Sequence, residues 1–348
     1  MRPVLLVLLA AVLFGTTGTA QALGAPDVNA VSLGSARVVI GGSALALVAV
    51  LLSRRARVLR GGTFSAPVRP ETGGPQGVVG GTPGGSTGTS TGTGLIRAVR
   101  SARRADGVIP VLVGAFGVVV YQPAFFLGTE RNGVAIGTLV ALGTAPLATG
   151  VLAWAFGRRF PGARWCIATT VAVLGLALLA GAGSLGGLGS ASGADPVGLA
   201  GSLAAGVAYA VYTIMSKRLL DLGWGSADAM AAVFGAAAVL ALVLVLTTDV
   251  SWIGTAPGVL TVLWLGLVTV CVAYLLFAAG LRHLPAASVA TITLAEPLTA
   301  ALLGIGLLGE TLAPTSWAGL AAIATGILIL LVSTRPRSTG GSKPVVVR

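Results

Sequence analysis

Apolar residues run along this chain in long blocks, without the period-two alternation of a half-buried strand. The blocks lie at about residues 4–23, 30–52, 108–127, 134–156, 165–182, 197–215, 227–246, 259–280, 286–308 and 317–332. Each is close to the ~20 residues that carry a helix across a bilayer. Lipid offers no partner to backbone N–H and C=O groups, so a spanning chain is helical or a closed barrel, and unbroken apolar runs favour helices. The pattern predicts an all-α integral membrane protein with ten transmembrane helices. The first block also imitates a signal peptide, with Arg2 ahead of a short apolar core and Ala20-Gln21-Ala22 as a cleavage site.

Composition agrees with this reading. Of 348 residues only 9% are charged, against about 25% in a soluble domain, and mean hydropathy is +0.95. The formal charge of +12 would point to nucleic acid in a soluble chain. Here the basic residues sit between the apolar blocks, so they report orientation in the membrane, and no nucleic-acid partner is expected. With the N-terminus inside, Arg2, Arg158, Arg159, Arg164, Lys217, Arg218, Arg282 and the basic tail after 334 all fall on the cytoplasmic side. Asp27, Glu130, Asp195, Asp249 and Glu310 fall opposite, with Arg131 as the sole basic residue there. Both termini are therefore expected in the cytoplasm, with the protein in the cell membrane. Residues 61–94 are rich in Gly, Thr, Ser and Pro and cannot bury a core; the region of about 56–105 is expected to be a flexible, dispensable insertion.

The stretch 286–310 concentrates the candidate chemistry. Glu296 and Pro297 stand at its middle. A charge at the centre of a span costs at least ~2.5–3.5 kcal/mol on insertion scales, and proline removes a backbone donor and kinks the helix. The expectation is a bend lining a polar cavity, with the carboxylate beside a carbonyl that the proline has freed. Arg37 lies two turns into the second span, either facing a cavity or snorkelling to the headgroups. Gln21, Thr144, Tyr209, Tyr212, Tyr274 and Thr293 are further candidates for lining a path, as are Thr16, Thr17, Tyr121, Gln122 and Thr291. Each hydroxyl or amide could equally serve helix packing. One histidine and two separated cysteines, Cys166 and Cys271, offer no metal cluster, no disulfide and no catalytic constellation; no cofactor is expected.

The chain also repeats itself. A slide of 151 residues sets Phe126 on Phe277, Arg131 on Arg282, Pro146 on Pro297 and Gly175 on Gly326; one residue more sets Trp165 on Trp317. Near the front, Leu9-Ala-Ala meets Leu203-Ala-Ala at a larger shift, the difference matching the Gly/Thr-rich insertion. Two units follow: residues 1–184 with the insertion, and 197–333 without it, then a cytoplasmic tail over 334–348 expected to be disordered. Five spans is an odd number, so the halves run in opposite senses. Inverted repeats with midplane sites at broken helices are a mark of secondary transporters, and Pro146 joins Pro297 as a candidate on that ground.

Leu294-Ala-Glu-Pro-Leu-Thr-Ala-Ala-Leu-Leu-Gly304, Leu308-Gly-Glu-Thr-Leu312 and Trp317-Ala-Gly-Leu320, with Phe14-Gly-Thr-Thr-Gly18 and Thr144-Ala-Pro-Leu147 in the first half, resemble the EamA family of the drug/metabolite transporter superfamily. The resemblance implies ten helices as two inverted five-helix repeats, and export or exchange of a small metabolite such as an amino acid. The chain departs from the family in carrying Ala145 where the second half has Glu296, and Arg158-Arg159 where an acidic residue is usual. The expectation is a secondary transporter working by alternating access on a small-molecule substrate, with proton coupling and a homodimer left open. The alternatives are a membrane-embedded enzyme, for which no catalytic set is present, and a structural or sensory membrane protein.

Overall fold

The computed structural model describes residues 2–61, 91–157, 160–181 and 194–333. Among them every regular element is helical. The helices are α1 (Arg2–Gly24), α2 (Ala30–Gly61), α3 (Thr91–Gly157), α4 (Ala163–Ala180), α5 (Pro196–Asp221), α6 (Ser226–Thr247), α7 (Ala256–Leu281), α8 (Ala286–Leu308) and α9 (Pro314–Ser333). All nine contain stretches long and apolar enough to cross a membrane. The apolar part of α3, Ala105–Gly157, has 53 residues. At ~1.5 Å per residue that is over twice the ~30 Å of a hydrocarbon core. It is interrupted at Gly133, where φ of 78° and ψ of 157° leave the helical region, a conformation open to a residue without Cβ.

Two other helices depart from a regular α-helix. A π-helical segment, Trp264–Val272, divides α7. In α8 the helical segments Ala286–Ile292 and Ala295–Leu308 flank a turn at Thr293 and Leu294. Two helices also extend further than expected, α2 and α3. Residues expected in the flexible insertion are helical at both margins, 56–61 closing α2 and 91–105 opening α3. Runs such as Ala56-Arg-Val-Leu and Leu95-Ile-Arg-Ala-Val lack helix breakers and simply prolong the apolar helices beside them. The core of the insertion, residues 62–90, lies outside the described residues, as do Arg158, Arg159 and the tail after Ser333.

The packing pairs helices across the chain. Helix α3 lies along α5, α4 along α9, and α2 along α6, while α1 packs on α7 and α8. The α4–α9 contact brings backbones together through small residues, the usual means in lipid. A Cβ added at Gly175 would stand 2.6 Å from the Ile323 nitrogen and 2.7 Å from the Gly319 carbonyl oxygen. One added at Gly326 would stand 2.8 Å from the Ala172 nitrogen and 2.6 Å from the Ala168 oxygen.

One end of the bundle is tied by Asp195. Its carboxylate caps α5 by accepting from the Gly198 N–H at 2.8 Å and pairs with Arg131 at 3.3 Å. Asn132 bonds the Asp195 backbone on both sides, at 2.7 and 3.1 Å, and so clamps the turn at Gly133 to the start of α5. The Gly198 amide, aided by Arg131, holds the Asp195 carboxyl below the usual range. At the same end the Trp252 indole donates to Ser32 Oγ at 2.9 Å, and Ser32 Oγ donates to the Asp249 carbonyl at 2.6 Å. At the opposite end Lys217 Nζ meets Asp221 at 3.1 Å and donates to the Leu281 and Arg282 carbonyls at 3.2 and 3.4 Å.

Candidate functional site

The middle of the bundle holds a small cavity of about 50 Å³ to which six helices contribute. Phe14 and Thr17 come from α1, Arg37 from α2, Tyr121 and Leu142 from α3, and Tyr209 and Tyr212 from α5. Thr269, Val270 and Tyr274 come from α7, and Glu296 from α8. The volume holds a few water molecules, at roughly 10–15 Å³ of such space each. It is far below the ~300–1,000 Å³ that encloses a drug-sized ligand.

Glu296 sits in the first turn of the second segment of α8. A carboxylate there faces the positive end of a helix dipole. The break before it has a definite cause. Pro297 cannot donate to the Thr293 carbonyl, and its ring crowds that oxygen. The Thr293 carbonyl is not left free, however. It accepts from the Glu296 N–H at 2.9 Å in a tighter turn, which corrects the expectation of a freed carbonyl beside the carboxylate. The Thr293 hydroxyl donates to the Ala290 carbonyl at 2.8 Å and so accepts from Tyr209 Oη at 2.9 Å.

Arg37 is turned inward. The Gln122 amide is assigned with its oxygen toward the guanidinium, the orientation in which it accepts from Arg37 Nη2 at 2.8 Å and Nε at 3.2 Å. A charge-assisted bond of this kind contributes about 1.5–3 kcal/mol. It answers the alternative of a snorkelling arginine: the side chain has a partner inside the bundle. Among the described residues, ion pairs within 4.0 Å join only Arg131 to Asp195 and Lys217 to Asp221. Arg37 and Glu296 therefore share a cavity without pairing, and the Glu296 carboxyl has neither ion-pair nor hydrogen-bond partner among the described residues.

Aromatic rings wall the space between the two charges. Tyr212 and Tyr274 share a hydrogen bond of 3.0 Å between their hydroxyls. Tyr209 and Tyr212 meet edge to face at 5.1 Å, and Phe14 lies 5.0 Å from Tyr274. Ring faces of this kind accept cationic groups. The cavity thus offers one carboxylate, one guanidinium and an aromatic wall, an arrangement suited to a small ligand with opposite charges at its two ends.

Of the residues expected to line a path, Glu296, Arg37, Tyr209, Tyr212 and Tyr274 reach the cavity, as do Thr17 and Tyr121. Thr293 touches it through Tyr209, Gln122 through Arg37, and Pro297 is buried behind the break. Thr144, Pro146 and Gln21 are not brought to it. Thr144 packs on Gly206, where an added Cβ would stand 2.6 Å from its own. Pro146 is buried in an uninterrupted part of α3, and Gln21 is near the end of α1, half-buried. Leu142, Thr269 and Val270 line the cavity without having been singled out, as does Phe14, which the sequence marked only as part of a family-like stretch. Thr269 and Val270 arrive through the π-helical segment of α7, a distortion often found at functional sites.

Comparison with known proteins follows the same direction. The model of the EamA-like transporter family matches residues 196–332. An uncharacterized transporter of Bacillus subtilis (strain 168), YwfM, is 35% identical over 335 residues, covering 96% of this chain and 95% of its own. An uncharacterized transporter of Clostridium kluyveri is 26% identical over 136 residues, 39% of this chain and 44% of its own. A protein of known crystal structure has the same fold, with a TM-score of 0.67 over 95% of this chain and 96% of its own at 18% identity. A relative this similar over nearly the whole length, together with the apolar helices, marks a multi-pass membrane transporter, and the chain belongs to the EamA-like transporter family of the drug/metabolite transporter superfamily.

Proposed function

We propose that this protein is a secondary transporter that moves a small zwitterionic metabolite, such as an amino acid, across the cytoplasmic membrane by alternating access. The central cavity is its binding site. The observation that carries this reading is the Glu296 carboxyl, unpaired among the described residues, sharing a mid-bundle cavity with Arg37. An unpaired charge in a span is costly and is kept where it meets a ligand. An ammonium group would meet Glu296 and the tyrosine faces, and a carboxylate would meet Arg37. A cavity of about 50 Å³ must widen to admit such a molecule, which is what alternation between two openings provides. Glu296 is also the carboxylate that would take up a proton if transport is proton-coupled, facing Arg37, Tyr121, Tyr209, Tyr212 and Tyr274 across the cavity.

The architecture of this reading is ten spans in two inverted repeats, 1–184 and 197–333, counting the two parts of α3 on either side of Gly133 separately. Two observations support it. The α4–α9 contact is reciprocal: Gly175 meets Gly319 and Ile323, while Gly326, its match, meets Ala168 and Ala172, which match those two in turn. Such reciprocity is what a two-fold axis produces. Helices α2 and α6, the second of each half, also pair. The side on which the basic residues fall supports cytoplasmic termini. A fluorescent reporter after Arg348 that works only in the cytoplasm checks this, and an external signal would reverse it.

Flux of a panel of radiolabelled amino acids into proteoliposomes tests the function. Wild type should move at least one of them without any cofactor. Glu296→Gln should retain insertion, since a neutral amide is cheaper to bury, and lose at least ~10-fold in rate, the worth of one charge-assisted contact. Glu310→Gln, at the exposed end of α8, should be nearly silent. Wild-type flux in Glu296→Gln would make the carboxylate structural.

A further inference from the structure

A second and larger cavity lies at the other end of α5, and none of its lining residues belongs to the central one. It encloses about 870 Å³ between the end of α3, the end of α5 and the start of α8. Its polar side chains are Lys217, Arg218, Asp221 and Ser288; Phe156, Phe160, Ile214 and Met215 supply most of the apolar wall.

The charges are not equivalent. Lys217 uses all three ammonium donors, on Asp221 and on the Leu281 and Arg282 carbonyls. That neutralises Asp221 and makes the pair part of the scaffold. Arg218 is exposed and, among the described residues, has no carboxylate or carbonyl partner. The cavity therefore presents one cation with open donors beside an apolar surface, so it complements an anion with an apolar body.

Depth identifies which anion. Helix α5 has 26 residues, about 39 Å at ~1.5 Å per residue. Bilayers measure ~40–45 Å with their headgroups. Its last turn, which holds Arg218, thus stands at headgroup level when the helix crosses. Phe156 is 64% exposed and Phe160 57%. Phe160 also meets Trp154 edge to face at 5.9 Å. Tryptophan, here Trp154 at 53% exposure, is enriched at that interface, and basic pockets between helices there receive anionic headgroups.

We propose that this cavity binds an anionic phospholipid, with the phosphate on the Arg218 guanidinium and the acyl chains along Phe156 and Phe160. The assignment does not depend on what the central cavity carries. The test uses the purified full chain in nanodiscs of phosphatidylcholine, titrated with phosphatidylglycerol, with bound lipid counted by native mass spectrometry and unfolding followed by melting. Wild type should retain phosphatidylglycerol in preference to phosphatidylcholine and melt higher with it. Arg218→Gln should lose about tenfold in that preference, the worth of one charge-assisted bond, while melting as wild type does in phosphatidylcholine alone. Arg164→Gln, which alters an exposed arginine outside the cavity, controls for general surface charge and should keep the preference. Three results would overturn the proposal: equal retention of the two lipids by wild type, the same loss in Arg164→Gln as in Arg218→Gln, or an equal melting shift from inorganic phosphate or glycerol phosphate, which would assign the cavity to a soluble anion.

Discussion

Pro146 and Pro297 fall on each other when the chain is slid by 151 residues, and the fold treats the first and second halves of the chain differently there. Pro297 follows a break at Thr293 and Leu294 that presents Glu296 to the cavity. Pro146 sits in a helical stretch with no break near it, beside Ala145, which is 4% exposed. The Thr149 hydroxyl donates to the Ala145 carbonyl there at 2.7 Å, and the helix runs on through it. Proline alone thus does not open a span. In the second half the broken turn has an outside partner, the Tyr209 hydroxyl on Thr293, and the first half has Leu142 at the matching position. The two tryptophans repeat the lesson. Trp165 is 8% exposed, and its indole donates to the Ala287 carbonyl and Thr291 hydroxyl, both at 3.1 Å. Trp317 is 53% exposed. Room for the first ring comes from Gly150, where any Cβ would collide with it; the matching residue in the second half is Ala301.

The comparison can be broken most directly by giving the first half the second half's charge. Ala145→Glu puts a carboxylate into a packed site with no cavity, at a cost of at least ~2.5–3.5 kcal/mol. Folded protein recovered after detergent extraction should fall severely. Normal yield would mean that the halves are more alike at this point than their packing indicates. Next in size is the tryptophan pair. Trp165→Ala should destabilise by about 3–5 kcal/mol, the range for emptying a buried aromatic site. Trp317→Ala should stay within about 0.5 kcal/mol, as an exposed substitution does. Melting of the two variants side by side decides it, and equal shifts would remove the distinction.

The smallest effect concerns how each half begins. Asp195 caps the first helix of the second half, whereas the first half opens on Arg2-Pro3. Because the folded protein holds the Asp195 carboxyl below its ordinary value of 3.8, its contribution is present above that value and fades as pH falls through the lowered one. Asp195→Ala should therefore melt slightly below wild type at neutral pH, and the difference should close in strong acid. A difference that persists unchanged at low pH would assign the effect to something other than the carboxylate.

Much of this molecule is determined by its sequence alone. Apolar runs of about twenty residues can only be spans in a medium without backbone partners, so the helical membrane class and nearly every helix were legible. An acid and a proline in mid-span marked α8 because both are costly in lipid, and the resemblance to EamA proteins rested on that same stretch. The tertiary structure decided what depends on a neighbour. Whether Arg37 snorkels or turns inward hangs on Gln122, 85 positions away in the chain. Thr144 and Pro146 carry the same polar and helix-breaking signals as Thr293 and Pro297, yet only the second pair has Tyr209 opposite. The π-helical segment that delivers Thr269 and Val270 contains Gly266, but a lone glycine in an apolar span serves close helix packing as readily as a register shift. The cavity at Arg218 was invisible for the same reason: a space between three helices is a property of their contacts, and no one segment contains it.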